Sequence, residues 1–471
     1  MGLLTALLPL LAHPITAQAQ DARPEPTASL ERRLAELVSD ERAARTVREM
    51  VALGPRMGGT PSGERAAEWR AKTYGAMGLE VEVIEDPETW AHWEPSWSVE
   101  VVSGLGEVGA CLESAWPYGY SPSVNLRAPL SLEPTEGAIW LSPGPSRARR
   151  GSPEPALILV DGASTPDGRY PKVRSLRAGD RNRTAVMGIG SEDGSRLREA
   201  LSEGHVVEIE VALESHIQRA SPRTVVARLP AREGARSGHL LFSAHGDSDA
   251  GGPGANDNAS GEAIVREIAS AWTEAIREGL LAPPEREVRF AIWGSEIHST
   301  RAYLDANQTG SSPVLAVINF DQAGFGSGAE QLNIEPDDLA ANAPMIRLAA
   351  AVLSDHAGTV GFPEQWATNK SLGGTDSYVF SGSRVFRDEL RPSVTLFTSA
   401  WDKPDEHPRT EGMPGESWRD RPKVRVDHDD FYHSAGDIPE NTTDLEPHNM
   451  GWCARVGLLT GLRWLAGESS R

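Results

Sequence analysis

Short, unbroken apolar runs punctuate the second half of the chain: Leu240–Ala244, Val288–Trp293 and Val314–Phe320, preceded by the strand-like TVVARL from Thr224. Apolar runs of this length, without alternation, read as strands buried on both faces of a largely parallel sheet. Between them the rhythm changes. Ala259–Ala271 reads as a helix, and helical or loop sequence separates the other runs. The alternation predicts an α/β fold, a mostly parallel mixed sheet flanked by helices. The same grammar opens the chain. Leu30–Leu53 repeats apolar positions at helical spacing until Gly54-Pro55, Glu64–Met77 is an amphipathic helix ending at Gly78, and Leu79–Ile84 alternates as a strand.

From about Trp90 to Ser221 the character shifts. Trp90, Trp93, Trp97 and Trp116 cluster with Pro, Gly and short β-like runs at Ala138–Leu141, Ala156–Val160 and Val206–Val211, with a short helix at Gly194–Ser202. His205 and His216 stand isolated there, as satisfied surface or core histidines. Residues 90–221 are therefore expected to form a β-rich inserted domain beside the site, splitting the main domain into residues 20–89 and 222–471.

Composition narrows the class without changing this picture. The 471 residues are 39% hydrophobic and 24% charged, which is globular, and a net charge of −21 argues against nucleic acid or anionic membrane as a partner. Residues 1–19 read as a secretion signal, with an apolar core at Leu3–Leu11 and a small-x-small cleavage site at Ala17-Gln18-Ala19, although no Lys or Arg precedes the core. A polar leader, residues 20–28, follows. No other segment reaches the roughly 18 uninterrupted apolar residues of a membrane span. The expectation is a soluble, exported protein, periplasmic or secreted. Cys111 and Cys453 lie in no ligand pattern and read as structural, and sequence does not show whether they meet.

The candidate chemistry gathers at strand ends. Sheets of this kind bind ligands outside the carboxyl ends of their strands. His245 follows one predicted strand, Glu296 the next and Asp321 the third, while glycines 251, 252 and 254 let the loop aim Asp257 inward. His433 completes a set suited to a pair of divalent metals, with zinc the expected ion. Two ions about 3.5–4 Å apart can hold a hydroxide and clamp a tetrahedral intermediate, and Glu296 is placed to move the proton. Taken singly, each residue has a plainer reading: Asp321 as a cap, Glu296 as a solvated strand-end carboxylate, His433 beside His428 in an acidic surface loop.

The motifs SAHGDS, GANDNASG, WGSE, NFDQAG, GGTDSYVF and YHSAGD together resemble the zinc metallopeptidase M28 family, an aminopeptidase clan that also holds glutamate carboxypeptidases and glutaminyl cyclases. The resemblance covers about residues 30–85 and 224–465. The intervening TAVMGIGSEDGSRLREAL resembles, more weakly, part of a protease-associated (PA) domain. The family resemblance implies metal ligation by His245, Asp257 (bridging), Asp321 and His433. It places Asp247 behind His245 and Asp376 near the site. Asp437 would steady the loop carrying His433, and Tyr432 matches a tyrosine that helps bind the oxyanion in some relatives.

One position departs from the family. Two consecutive glutamates are usual, the first a base and the second a metal ligand, but this chain has Glu296 followed by Ile297. Three accounts are open: Glu296 as ligand rather than base, His298 as a substitute ligand, or a weak or empty metal site. The implied activity is a zinc-dependent exopeptidase acting on peptides, an aminopeptidase first. A glutamate-carboxypeptidase-like hydrolase is the nearest rival, with a cyclase further off, and a catalytically silent metal- or peptide-binding module is the reading from another class.

Overall fold

The computed structural model describes residues 28–105, 110–144, 153–307, 312–326, 331–368, 375–381, 391–400 and 427–469. The signal sequence expected over residues 1–19 and nearly all of the polar leader lie outside these. No helix among the described residues is long and apolar enough to cross a membrane.

An eight-stranded sheet organises the main domain, in the order Glu80–Glu85, Arg223–Leu229, Glu287–Trp293, His239–His245, Val314–Phe320, Ser393–Phe397, Gln331–Glu335, Gln365–Thr368. The four middle strands run parallel, and both flanks are joined to them antiparallel. Every residue of His239–His245 is buried. Leu240, Phe242 and Ala244 face the larger core, shared with Trp272 and Met450 from the helices Ser260–Arg277 and His448–Ser469. Leu241, one residue out of phase, packs with Trp293, Val317, Tyr303 and Phe380 on the other face. Each such fully buried side chain contributes about 1.5–3 kcal/mol. Close packing constrains sequence too: a Cβ at Gly461 would sit 2.6 Å from the Phe242 ring.

The apolar repeat over Leu30–Leu53 proves to be two helices, Ala28–Ala35 and Asp40–Val51. Ser39 is extended, and its hydroxyl accepts from the Arg42 amide, a cap that starts the second helix afresh. Arg42 pins the junction further by donating to Leu37 O and to the buried Glu267. The helix expected over Ala259–Ala271 spans Ser260–Arg277, because its polar last turns continue past the apolar pattern.

At the opposite end of the central strand from His245, His239 is buried in a polar chain. Its Nδ1 donates to Ser312 O (2.9 Å), and its Nε2 accepts from the Tyr303 hydroxyl (3.1 Å), which in turn accepts from Arg289. Desolvation, helped by the Arg289 charge and opposed by Ser312 O, pushes the imidazole down to about 3. The folded state therefore prefers neutral His239. The corresponding stability is intact above pH 6.5 and is lost as pH falls from 6.5 toward 3. Between pH 6.5 and 5 the wild type should lose about 2 kcal/mol more than His239→Gln, compared by urea unfolding at each pH. Parallel profiles would show that His239 carries no such linkage.

The hairpin of Glu80–Glu85 and Arg223–Leu229 closes register at Glu85 opposite Arg223, with the Asp86 amide donating to Pro222 O. Where its turn would be, the chain departs into a second eight-stranded sheet with its own core. The long strands Thr89–Ser103 and Glu208–Ala220 pair antiparallel as its stalk. The sequence marked this region as β-rich. The structure adds a small parallel unit, Ile139–Ser142, Leu157–Val160 and Ala185–Gly188, with the helix Ser191–Ser202 following. His216 stacks on Trp93. Cys111 is exposed and Cys453 buried in the last helix, both unpaired with each other.

Candidate metal centre

Asp257 is the middle of the site. It is buried, with its Oδ1 3.2 Å from His245 Nε2 and its Oδ2 3.0 Å from His433 Nε2. One carboxylate thus presents an oxygen to each of two imidazoles. Asp321 joins from the end of its strand, its Oδ1 3.6 Å from His245 Nε2. Ligand atoms of His245, Asp257 and Asp321, all buried, lie within 4.8 Å of one another.

Local structure explains how each is aimed. His245 ends its strand, and its Nδ1 faces Asp247 O (3.0 Å) and Asp247 Oδ1 (3.3 Å). Both partners only accept, so Nδ1 carries a proton, which leaves Nε2 as the ring nitrogen that faces the carboxylates. Asp257 sits in an irregular turn, Ala255–Ala259, entered through Gly254 at φ +62°, which glycine adopts without strain. Asp437 accepts from the amides of Asn256 (2.7 Å) and Asp257 (3.0 Å). Thr375 donates to Asp321 Oδ2 (2.8 Å). His433 holds φ +50°, and the Tyr432 ring stacks on its imidazole at 3.6 Å between centroids.

Glu296 opens the helix Glu296–Asn307, its amide donating to Asp247 Oδ1 (3.1 Å). Its carboxyl is not part of the three-residue ligand cluster among the described residues. Ile297 is partly buried and packs against the core cluster that includes Trp293 and Tyr303. His298 Nε2 donates to Pro87 O (2.7 Å), and His298 is not in the cluster of His245, Asp257 and Asp321. Asp376 is buried, and Thr300 donates to its Oδ1 (3.4 Å).

The electrostatics of the pocket are those of crowded, desolvated carboxyls. Desolvation pushes Asp376 up to about 8 against the opposing His245, with Asp321 and Asp247 adding. Glu296 is driven well above the carboxylate range by desolvation, opposed by His245 and reinforced by Asp376 and Asp321. Desolvation opposes the ionised form of Asp257, yet hydrogen bonds from both imidazoles hold it below the usual range. Asp321 Oδ1 and Asp376 Oδ2 are buried with no hydrogen-bond partner. Crowded carboxyls, two imidazoles and two orphaned buried oxygens form the oxygen-and-nitrogen donor set a divalent cation requires. The residues fit such a group.

Sequence reasoning missed the frame beneath the ligands. Arg56, fully buried, donates to Pro253 O (2.9 Å), Gly254 O (2.6 Å) and Gly246 O (3.3 Å), while its amide donates to Ser248 Oγ. Desolvation pushes it down to about 10, with Glu262 opposing. Arg70 donates to Gly246 O (2.8 Å) and pairs with buried Glu262. Asn256 donates to Asp429 Oδ2 and Ser399 Oγ, and accepts from the Gly324 and Phe325 amides. The polar sequence around Asn256 and Asp429 offered a signal. Arg56 and Arg70, far away in sequence, offered none.

Comparison with known proteins agrees with this geometry. A leucine aminopeptidase 2 of Trichophyton equinum is 27% identical over 157 residues, 32% of this chain and 30% of that protein. An aminopeptidase of Pseudomonas aeruginosa is 30% identical over 121 residues, 25% of this chain and 21% of that protein. The chain thus aligns with less than a third of these relatives' length. Among solved structures, a zinc aminopeptidase from Bacillus subtilis superposes with TM-score 0.57 at 18% identity, covering 90% of this chain and 94% of that one. A peptidase M28 precursor from Shewanella amazonensis gives TM-score 0.60 at 17% identity, covering 93% and 96%. These share the fold. Residues 224–456, which include His245, Asp257, Asp321 and His433, match peptidase family M28.

Proposed function

We propose that this protein is an exported zinc-dependent exopeptidase, an aminopeptidase that hydrolyses peptide amide bonds, with the inserted PA-like domain of residues 90–221 shaping access. The observation that carries the reading is Asp257 set between the imidazoles of His245 and His433, with Asp321 alongside. His245, Asp257, Asp321 and His433 would hold the zinc, Asp257 bridging two ions. Bound zinc supplies Lewis acidity and lowers the pKa of a water molecule. The rest falls to the chain's own residues. Asp247 holds His245 in the ligating tautomer, Asp437 holds Asp257 by its amide, and the Glu296 carboxylate takes the water proton and returns it to the leaving amine. Tyr432, stacked on His433, keeps that imidazole facing Asp257, and its hydroxyl is a candidate donor to the developing oxyanion.

The two zinc sites should be unequal. His245, Asp257 and Asp321 already gather within 4.8 Å of one another, and the isoleucine at position 297 offers no ligand to either ion. After exhaustive dialysis the protein should retain about one zinc per chain, and added zinc should restore a second, each measured by elemental analysis. Chelation should abolish hydrolysis of aminoacyl-anilides, with activity returning on zinc addition. A protein that holds no zinc and cleaves no amide across the panel would overturn the hydrolase and leave a binding module.

A further inference from the structure

The inserted domain does more than stand beside the centre. Its segment Pro171–Val173 lies antiparallel to His433–Ala435, with Lys172 opposite Ser434. The Val173 amide donates to His433 O (2.7 Å), and Pro171 O accepts from the Ala435 amide (3.0 Å). Lys172 Nζ donates to Tyr432 O (2.7 Å) and Asp430 O (3.1 Å). Tyr170 adds an edge-on contact with Phe431, close enough to Gly436 that a Cβ there would meet the ring at 2.7 Å. The carbonyls of residues 430, 432 and 433 are therefore all gripped from the inserted domain.

His433 needs such a grip. It is a non-glycine residue at φ +50°, a conformation that persists only where the surroundings over-determine it. Its imidazole reaches Asp257 because of that backbone turn. We propose that Lys172 is a positioning residue of the metal centre: together with the Pro171–Val173 rung it holds the His433 loop in its ligating conformation, so zinc affinity depends on the inserted domain. This rests on the zinc reading above. Val173 also walls a small cavity shared with Asp257, His433 and Asp437, so the strap meets the ligands directly from one side.

The test is zinc titration of the full chain against a chromogenic chelator, with kcat and KM measured in parallel. Lys172→Met keeps the apolar stem and removes the donors. It should weaken zinc binding by about 10-fold or more, as loss of a group supporting a metal ligand does, and lower kcat more than it raises KM. Lys172→Arg, which keeps donors for two carbonyls, should recover most of the affinity. Folded Lys172→Met with wild-type zinc affinity would overturn the proposal while leaving the zinc centre standing. Wild-type protein that binds no zinc would overturn both. If Lys172→Met fails to fold, Lys172→Gln reads the same titration: weakened affinity supports the strap, and wild-type affinity overturns it.

Discussion

Glu296→Gln should lower kcat by about 10²–10⁴-fold, with KM and zinc content close to wild type. The amide matches the carboxylate in shape but cannot accept a proton. Glu296 is fixed at its backbone by Asp247 and stands outside the cluster of His245, Asp257 and Asp321, so its loss should leave that cluster assembled. Its neighbour Ile297 is partly buried against the core and has no group that could move a proton, so Glu296 is the member of the pair able to act as base. Anilide hydrolysis and elemental analysis on the same preparation decide the matter. If activity disappears together with about one zinc per chain, Glu296 is a ligand and the base lies elsewhere.

Arg70→Met should destabilise the main domain by about 3–5 kcal/mol, the usual consequence of leaving a buried charge without its partner. Arg70 Nε and Nη2 meet both oxygens of Glu262 at 2.9 and 2.7 Å, and the two side chains are only 3% and 1% exposed. Met removes the cation and strands the carboxylate. The double variant Arg70→Met/Glu262→Leu should regain much of that loss, because a buried pair exchanged as a unit for apolar residues is often near neutral. Urea unfolding of the three variants gives the comparison. Arg70 also donates to Gly246 O, next to His245, so Arg70→Met should loosen zinc binding as well. Equal stability of the single variant and wild type would mean that Glu262 finds another partner or takes up a proton.

Much of this was legible along the chain because the deciding forces are local. The runs at Leu240, Val288 and Val314 announced buried parallel strands, since a strand covered on both faces has no polar phase. Their ends then located His245, Glu296 and Asp321, because strands aligned in parallel deliver their carboxyl ends to one edge. Where a local cap overrode the apolar rhythm, as at Ser39 within Leu30–Leu53, the pattern alone ran two helices together.

By itself, then, the sequence determined the sheet and the strand-end placement of His245 and Asp321, which the fold brings together with Asp257. Hydrophobic period and turn residues act over a few positions and are written where they act. Tertiary structure alone decided which distant groups hold that set in place. Arg56 and Arg70 reach the 246–254 loop from early helical and loop sequence, and Lys172 reaches the His433 loop from the segment between the second sheet's strands Leu157–Val160 and Ala185–Gly188. It also decided the fate of the two residues after Glu296, packing Ile297 partly buried against the core and setting His298 onto Pro87 O. Such contacts depend on how packed elements meet in space, and no spacing along the chain encodes a carbonyl that a remote arginine or lysine will find.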